Sequence, residues 1–170
     1  DTDPISDVEL DISSERTVGY LLDELKKRDD VPNDSTLRML LLNRYTIEKT
    51  IDVQEKLLGY VGKEIRVEII PQLQLETKSD EGFLIRCAFS HNPQYPPNGT
   101  ILTPFYFQVL KDELFDLTQV RITSLIKDEL GKLNYVLYAG KASATRFVEC
   151  NDETNLFDIA NQPDAMLYII

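Results

Sequence analysis

The sequence predicts an α+β fold made of two similar units, each a mixed sheet wrapped on one main helix. A strand, a tight turn and an amphipathic helix follow one another twice, first from Val8 and again from Phe105. The spacing of equivalent strand positions is nearly constant: 97 between Val8 and Phe105 (105 − 8), 97 between Arg38 and Tyr135 (135 − 38), and 100 between Val67 and Leu167 (167 − 67). A strand, turn and helix on one sheet face form the front half of a β-grasp, and the repeated spacing favours an internal duplication.

The composition sets limits on the kind of protein. The chain has 170 residues, 42% of them hydrophobic, so it can bury one sizeable core or two small ones. Its apolar runs are far shorter than the ~20 residues of a membrane span, so no membrane association is expected. The net charge of −11 argues against nucleic acid as a partner. That charge fits a basic protein partner, or only solubility.

The first unit is predicted over residues 1–71. Thr17 is a good N-cap for a helix over 18–27, whose apolar residues Val18, Leu21, Leu22 and Leu25 follow the i, i+3, i+4, i+7 pattern. The predicted strands are 8–12, 37–42, 45–50 and 64–70, with a helical turn at 54–60. The sequence has no room for a further strand before Val8, so the unit's first strand is expected to be missing, either cut away or upstream.

The second unit is predicted over residues 82–170, after a polar linker at 72–81. Asp112 is expected to cap a helix over 113–127, with Phe115, Ile122, Leu125 and Ile126 on its core side. Ile122→Asp would bury an unpaired charge there. The predicted strands are 82–90, 101–109, 135–138, 145–149 and 166–170, with a proline-rich loop at 91–100 and a turn at 155–159.

Two cysteines raise the question of nucleophilic catalysis. Cys87 and His91 suggest a nucleophile and a base, but alternation along strand 82–90 puts Cys87 on the core side. Cys150 lies beside Glu149 and Asp152, which would raise the thiol pKa. We therefore expect no catalytic residue in this segment, and reduced thiols typical of the nucleus and cytoplasm.

Acidic clusters suggest a metal site only weakly. Two sets of carboxylates are close in sequence, namely Asp1, Asp3 and Asp7, and Asp152, Glu153 and Asp158. Neither set has the glycine and closing glutamate of a calcium loop. Solvated surface is the preferred interpretation, and no metal or cofactor is expected.

Leu114 and Leu117 lie off the predicted core side of the second helix. They either pack partly buried at an edge or dock against the first unit or a partner. We expect this outer face to help set the angle between the units.

Several short motifs match a known family. Four stretches carry the similarity: Arg66 to Gln72, Pro104 to Phe107, Leu37 to Leu41, and the helix residues Glu113, Phe115, Arg121, Ile122 and Leu125. In this order and spacing they resemble the fourth and fifth ubiquitin-like modules of the herpesvirus-associated type of ubiquitin-specific protease, in a fungal member. Asp112 departs from the family, which often has glycine there.

The resemblance implies a part of a thiol-dependent deubiquitinase that assists catalysis by a separate domain. Its implied partners are its own catalytic domain and protein substrates, basic ones among them, and the fragment is expected to be a monomer. In the family a tail after the last module reaches back to the catalytic domain, and no residue here matches it. The alternative is a stand-alone adaptor whose two ubiquitin-like units recruit basic proteins.

Overall fold

The computed structural model of the chain describes residues 9–130 and 134–170, without the side chains of residues 128–130. It has an α+β architecture with two sheets, of three and five strands. The chain divides into two compact units, one of Asp1–Leu41 with Lys49–Ile70 and one of Leu42–Glu48 with Pro71–Ile170.

The first sheet packs on one helix. Helix α1 spans Val18–Leu25, and the strands are β1 (Leu37–Asn43), β2 (Thr46–Ile51) and β3 (Ile65–Ile69), in the order β2-β1-β3. The predicted cap is confirmed, because Thr17 Oγ1 accepts a hydrogen bond of 3.2 Å from Tyr20 N–H. The predicted helix face is confirmed too, since its side chains pack with β1, Ile51 and Tyr60. A 3₁₀ turn at Leu57–Tyr60 precedes β3.

The predicted strand at 8–12 is wrong over the part that the structure describes. Residues 9–13 have no regular secondary structure, and Val8 lies outside the described residues. Leu10 is 43% exposed, so the alternation of Leu10 with Glu9 and Asp11 does not lead to burial of that side chain. The nearest ladder contact is one isolated bridge between Thr17 and Lys56. Alternation without a neighbouring strand is not enough to form a sheet.

The segment predicted as a polar linker contains a short helix, α2, at Gln72–Glu76. Pro71 precedes it, and the Thr77 hydroxyl donates a hydrogen bond of 2.6 Å to the Leu73 carbonyl, which ends the helix. The polar composition did not indicate this turn of helix, because it is stabilised by local backbone and side-chain hydrogen bonds and has no buried face.

The second sheet has the topology of a β-grasp. Its strands are β4 (Gly82–Ser90), β5 (Thr100–Leu110), β6 (Leu137–Lys141), β7 (Val148–Glu149) and β8 (Ala165–Ile169), in the order β5-β4-β8-β6-β7. The central pair β4 and β8 is parallel, and the other pairs are antiparallel. Helix α3 spans Phe115–Leu130, and the short helix α4 spans Leu156–Ala160.

Helix α3 buries one face against this sheet. Ile122 and Ile126 are 0% and 1% exposed, Thr118 is 2% exposed, and Phe115 packs against the same core. The prediction that Leu125 belongs to this face is wrong, because its side chain is 59% exposed. Thr118 is a buried residue of this face that the prediction left out, and its hydroxyl can be buried because it donates to a Glu113 carboxylate oxygen at 2.7 Å.

The strand predicted to begin at Tyr135 begins two residues later, at Leu137. Tyr135 instead extends to α3, where its hydroxyl lies 2.7 Å from Thr123 Oγ1 and donates to the Gln119 carbonyl at 3.0 Å. The pairing also corrects the predicted spacing of 97 at this strand. Leu37 pairs with Ile69 in the first sheet and Leu137 pairs with Ile169 in the second, so the two strands of each pair are offset by 100 between the sheets.

Candidate functional site

The start of α3 is organised by an ion pair between Arg121 and Glu113. Arg121 Nε donates to Glu113 Oε1 at 2.8 Å, and Nη2 donates to Oε2 at 2.6 Å. The Glu113 side chain is only 11% exposed and that of Arg121 is 27% exposed. Two parallel bonds from a planar guanidinium make the pair directional as well as electrostatic.

The same guanidinium joins the helix to β5. Arg121 Nη2 also donates to the Gln108 carbonyl at 2.7 Å, and the Arg121 Cζ atom lies 4.5 Å from the centre of the Phe107 ring. An Arg over an aromatic face adds a cation–π contribution. These contacts give Glu113 and Arg121 a structural role, because they fix the helix on the sheet. Both residues belong to the motifs that suggested a family.

Asp112 is not at the cap position that the sequence predicted for it. The helix begins at Phe115, three residues further on, and Asp112 has a φ of 60°, in the left-handed region. Asp tolerates that region better than most residues because its short side chain bonds locally. Glycine would adopt this left-handed conformation without strain. Glycine is also the residue that the resembled family often has at this position.

Leu114 and Leu117, the predicted contact residues, are both exposed, at 71% and 55%. Partly buried edge packing is therefore wrong for these side chains. Their role in setting an angle between the units stays a prediction. The sequence analysis missed two further apolar residues that are exposed on α3, Val120 at 62% and Leu125 at 59%. The spacing of three residues between Leu117 and Val120 could have placed Val120 on the same outward side of the helix. Leu125 lies seven residues after the buried Thr118, so helical spacing alone does not mark it as exposed.

Cys87 lies in the core, as predicted. It is 1% exposed, among the side chains that pack between the second sheet and α3. Burial raises the pKa of this thiol far above its ordinary value. His91 follows the end of β4 and is exposed, whereas the Cys87 thiol is buried. A neutral buried thiol behaves as a small apolar side chain rather than a nucleophile.

Cys150 is also buried, at 7% exposure. Burial, and after it the negative charge of Glu149, raises the pKa of this thiol to about 12. The predicted direction of the shift is therefore confirmed. Its Sγ atom contacts the Val148 carbonyl at 3.8 Å.

Within residues 9–130 and 134–170, no group of three or more His, Cys, Asp or Glu side chains is placed to hold a metal ion. Asp1, Asp3 and Asp7 lie outside those ranges. In the same part of the chain, every helix is too short or too polar to cross a bilayer.

Comparison with known proteins gives the family. Residues 4–169 match the model of the family described as ubiquitin-specific protease C-terminal. That family comes from ubiquitin-specific proteases, which are cysteine peptidases that remove ubiquitin. No match was found among curated proteins. The similarity to C-terminal ubiquitin-like modules is thus confirmed, while the fungal source receives no support. Because the match covers nearly the whole sequence, the chain belongs to the ubiquitin-specific protease C-terminal family.

Proposed function

We propose that this chain is the regulatory and binding region of a deubiquitinating enzyme. It supports substrate binding and modulates the catalytic domain, and it does not itself cleave. The observation that carries the proposal is the family match over residues 4–169. The burial of both cysteines supports a non-catalytic role, because a thiol protease needs an accessible, low-pKa thiolate.

The partners follow from charge and from exposed apolar surface. A net charge of −11 favours basic protein segments through electrostatic attraction. Leu114 and Leu117 offer the exposed apolar area that a partner would bury. The catalytic domain of the same enzyme and its protein substrates are the proposed partners.

The effect on catalysis is tested by joining residues 1–170 to the catalytic domain of the parent protein. We expect kcat/KM for a ubiquitin–fluorophore substrate to differ between the joined protein and the catalytic domain alone. The double variant Leu114→Ser/Leu117→Ser should reduce that difference. The matched control is Leu58→Ser/Val61→Ser, whose leucine and valine are 55% and 67% exposed. Equal rates for the joined protein and the catalytic domain would overturn the regulatory role.

The adaptor alternative is favoured by the same acidic charge but needs no enzyme. The parent reading frame distinguishes the two proposals. If this chain is the regulatory region of a deubiquitinase, that frame should encode a ubiquitin-protease domain upstream of it. An upstream sequence without that domain would favour the adaptor.

We also propose that the protein resides in the nucleus and cytoplasm and that the isolated chain is monomeric. The two reduced cysteines are consistent with a reducing compartment. Imaging of a fluorescent fusion and light scattering of the purified chain test these two statements.

A further inference from the structure

A groove opens in the second unit between the turn that joins β5 to α3 and the segment that joins β7 to α4. Its volume is about 470 Å³, and its walls come from residues 109–115, Thr118 and residues 152–158. This volume falls within the range of roughly 300–1,000 Å³ that is usual for sites that bind small ligands.

The groove has an apolar floor. Leu110, Leu114, Phe115 and Phe157 line it, and the Phe157 ring also packs against the Phe83 ring, tilted by 49° with 4.8 Å between the ring centres. Phe115 and Phe157 are partly buried against the core, so their positions are fixed by packing. Leu114 is different, because it lines the groove and is 71% exposed. Such an exposed large apolar residue, beside anchored aromatic rings, favours contact with another apolar group.

Carboxylates surround this floor. Among the described lining residues, Lys111 is the basic one. Five others are acidic, namely Asp112, Glu113, Asp152, Glu153 and Asp158. Glu113 is neutralised by Arg121. Within the described parts of the chain, Asp112, Asp152 and Glu153 form no ion pair with any cation. Asp158 accepts a hydrogen bond of 2.8 Å from Asn155 Nδ2, which is a neutral donor.

Charge complementarity selects the occupant. Residues 1–8 of this chain contain Asp1, Asp3 and Asp7 and no basic residue, so like charges would oppose their entry. A second copy that presented the same groove would bring the same sign of charge. We propose that the groove binds a segment of a partner protein in which lysines or arginines flank an apolar side chain. The apolar side chain packs on Leu114 and the floor, while the cations pair with Asp112, Asp152 and Glu153.

A structural role for the carboxylates alone does not explain the groove. Acidic residues near the start of a helix stabilise its dipole, and Asp112 and Asp158 lie near the starts of α3 and α4. That effect needs no exposed leucine and no apolar floor between the two segments. Charge reversal also separates the two roles. If the carboxylates bind a partner, reversing their charge lowers the affinity for a basic peptide. If they only stabilise the helices, that affinity does not change.

The test measures peptide binding to the 170-residue chain. The probe is a fluorescein-labelled peptide of three Lys-Leu-Arg-Phe repeats, and two comparison peptides carry Glu-Leu-Glu-Phe or Lys-Ser-Arg-Ser repeats. We expect the first peptide to bind and the acidic one not to bind. The peptide without apolar residues should bind more weakly than the first. In ¹H–¹⁵N spectra the shifted amides should include Leu114 and Asp152.

Protein variants separate this groove from general acidity. Asp152→Lys/Glu153→Lys should weaken binding of the first peptide about tenfold or more, because attraction becomes repulsion at the rim. The matched control is Asp29→Lys/Asp34→Lys, which makes the same change of net charge at exposed positions elsewhere and should leave most of the affinity. Leu114→Ser should weaken binding, and the similarly exposed Val61→Ser should not. Binding should also weaken as salt is raised.

Three results would overturn the inference: equal binding of the acidic peptide, unchanged affinity in Asp152→Lys/Glu153→Lys, or amide shifts that map away from the groove. The peptide comparison on the unaltered chain keeps the test decisive if a variant fails to fold. The inference rests on the proposed binding role of this region, but it fails separately from it. Loss of peptide binding with a preserved effect on the catalytic domain would remove the groove and leave the regulatory role.

Discussion

Arg121 holds the Glu113 carboxylate through two hydrogen bonds, of 2.8 and 2.6 Å, from one guanidinium group. This pair fixes the first turns of the long helix against the edge strand of the second sheet. The turn that carries Leu114 and Asp112 is therefore anchored at Glu113, between them. Whatever binds on this side of the unit meets a surface whose position is set by that ion pair.

Removal of Arg121 should destabilise the second unit. Arg121→Ala leaves the Glu113 carboxylate, 11% exposed, without its cation, and also removes the bond to Gln108 and the contact with Phe107. We expect a loss of roughly 1–3 kcal/mol in the free energy of unfolding. Arg121→Lys should lose less, because it keeps the charge without the fork. Amide exchange in β4 and β5 measures the change within this unit.

Lys27→Ala serves as the control for this ion pair. It breaks the Lys27–Glu24 pair, whose lysine side chain is 68% exposed. We expect little change in the free energy of unfolding, because exposed ion pairs contribute little to stability. Equal effects from Lys27→Ala and Arg121→Ala would contradict the structural role assigned to Arg121.

The core face of α3 can be checked with two substitutions on adjacent turns. Ile122→Ala should cost roughly 2–4 kcal/mol, because the side chain is 0% exposed and its removal leaves a cavity. Leu125→Ala should change the free energy of unfolding by less than about 0.5 kcal/mol, because Leu125 is 59% exposed. Urea unfolding of both variants measures the contrast. A larger loss for Leu125→Ala would restore the core face that the sequence predicted.

Gly99 should resist substitution for steric reasons. A Cβ atom there would lie 2.6 Å from Asn92 Cβ and 2.8 Å from the Asn92 backbone nitrogen. The backbone would have to move, so we expect Gly99→Ala to lower the thermal midpoint of the second unit, at a cost of roughly 1–3 kcal/mol. Gly59→Ala is the comparison, because nothing lies within 4 Å of its added methyl group. A neutral Gly99→Ala would show that the 91–99 loop is looser than described.

Stability should fall in alkali. Burial raises the pKa of Cys150 from 9.0 to about 12 and that of Tyr168 from 10.0 to about 12. Both groups are neutral when protonated, so above their unfolded pKa values the unfolded chain releases protons that the folded chain keeps. The contribution is complete below about pH 9 and is lost as the pH rises towards 12.

Urea midpoints measured between pH 8 and pH 11 test this dependence. Cys150→Ala and Tyr168→Phe should each flatten the decline relative to the unaltered chain, whatever their effect at pH 8. A midpoint that rose with pH, or a slope unaffected by both substitutions, would contradict the burial of these groups.

The predictions from sequence were correct for elements whose apolar side chains pack against a neighbouring element. The Thr17 cap, the α1 face and the core position of Cys87 followed from local chemistry and periodicity. Strand 8–12 failed because alternation cannot show whether a neighbouring strand exists. Thr118 was left out of the core face because it is polar, yet it is buried with its hydroxyl bonded to Glu113, whereas Leu125 was included because it is apolar, yet it is exposed. Hydrophobic patterns identify core positions by apolar side chains, so they do not detect a buried polar residue whose hydroxyl is hydrogen-bonded.

The candidate site was predictable only in part. Leu114 and Leu117 stood out because they lie off the core face of the helix, and both are exposed. The groove beside Leu114 could not be predicted, because its second wall comes from residues 152–158, about 40 positions away in sequence. Those acidic residues were interpreted as solvated surface, since nothing in their own spacing shows what lies across from them.

The central claim is that this chain alters a deubiquitinase without cleaving ubiquitin itself. The most direct measurement compares hydrolysis of a ubiquitin–fluorophore substrate by purified residues 1–170, by the parent catalytic domain, and by the two joined. The account predicts no hydrolysis by residues 1–170 alone and a changed kcat/KM when they are joined to the catalytic domain. Hydrolysis by residues 1–170 alone, or an unchanged kcat/KM in the joined protein, would contradict it.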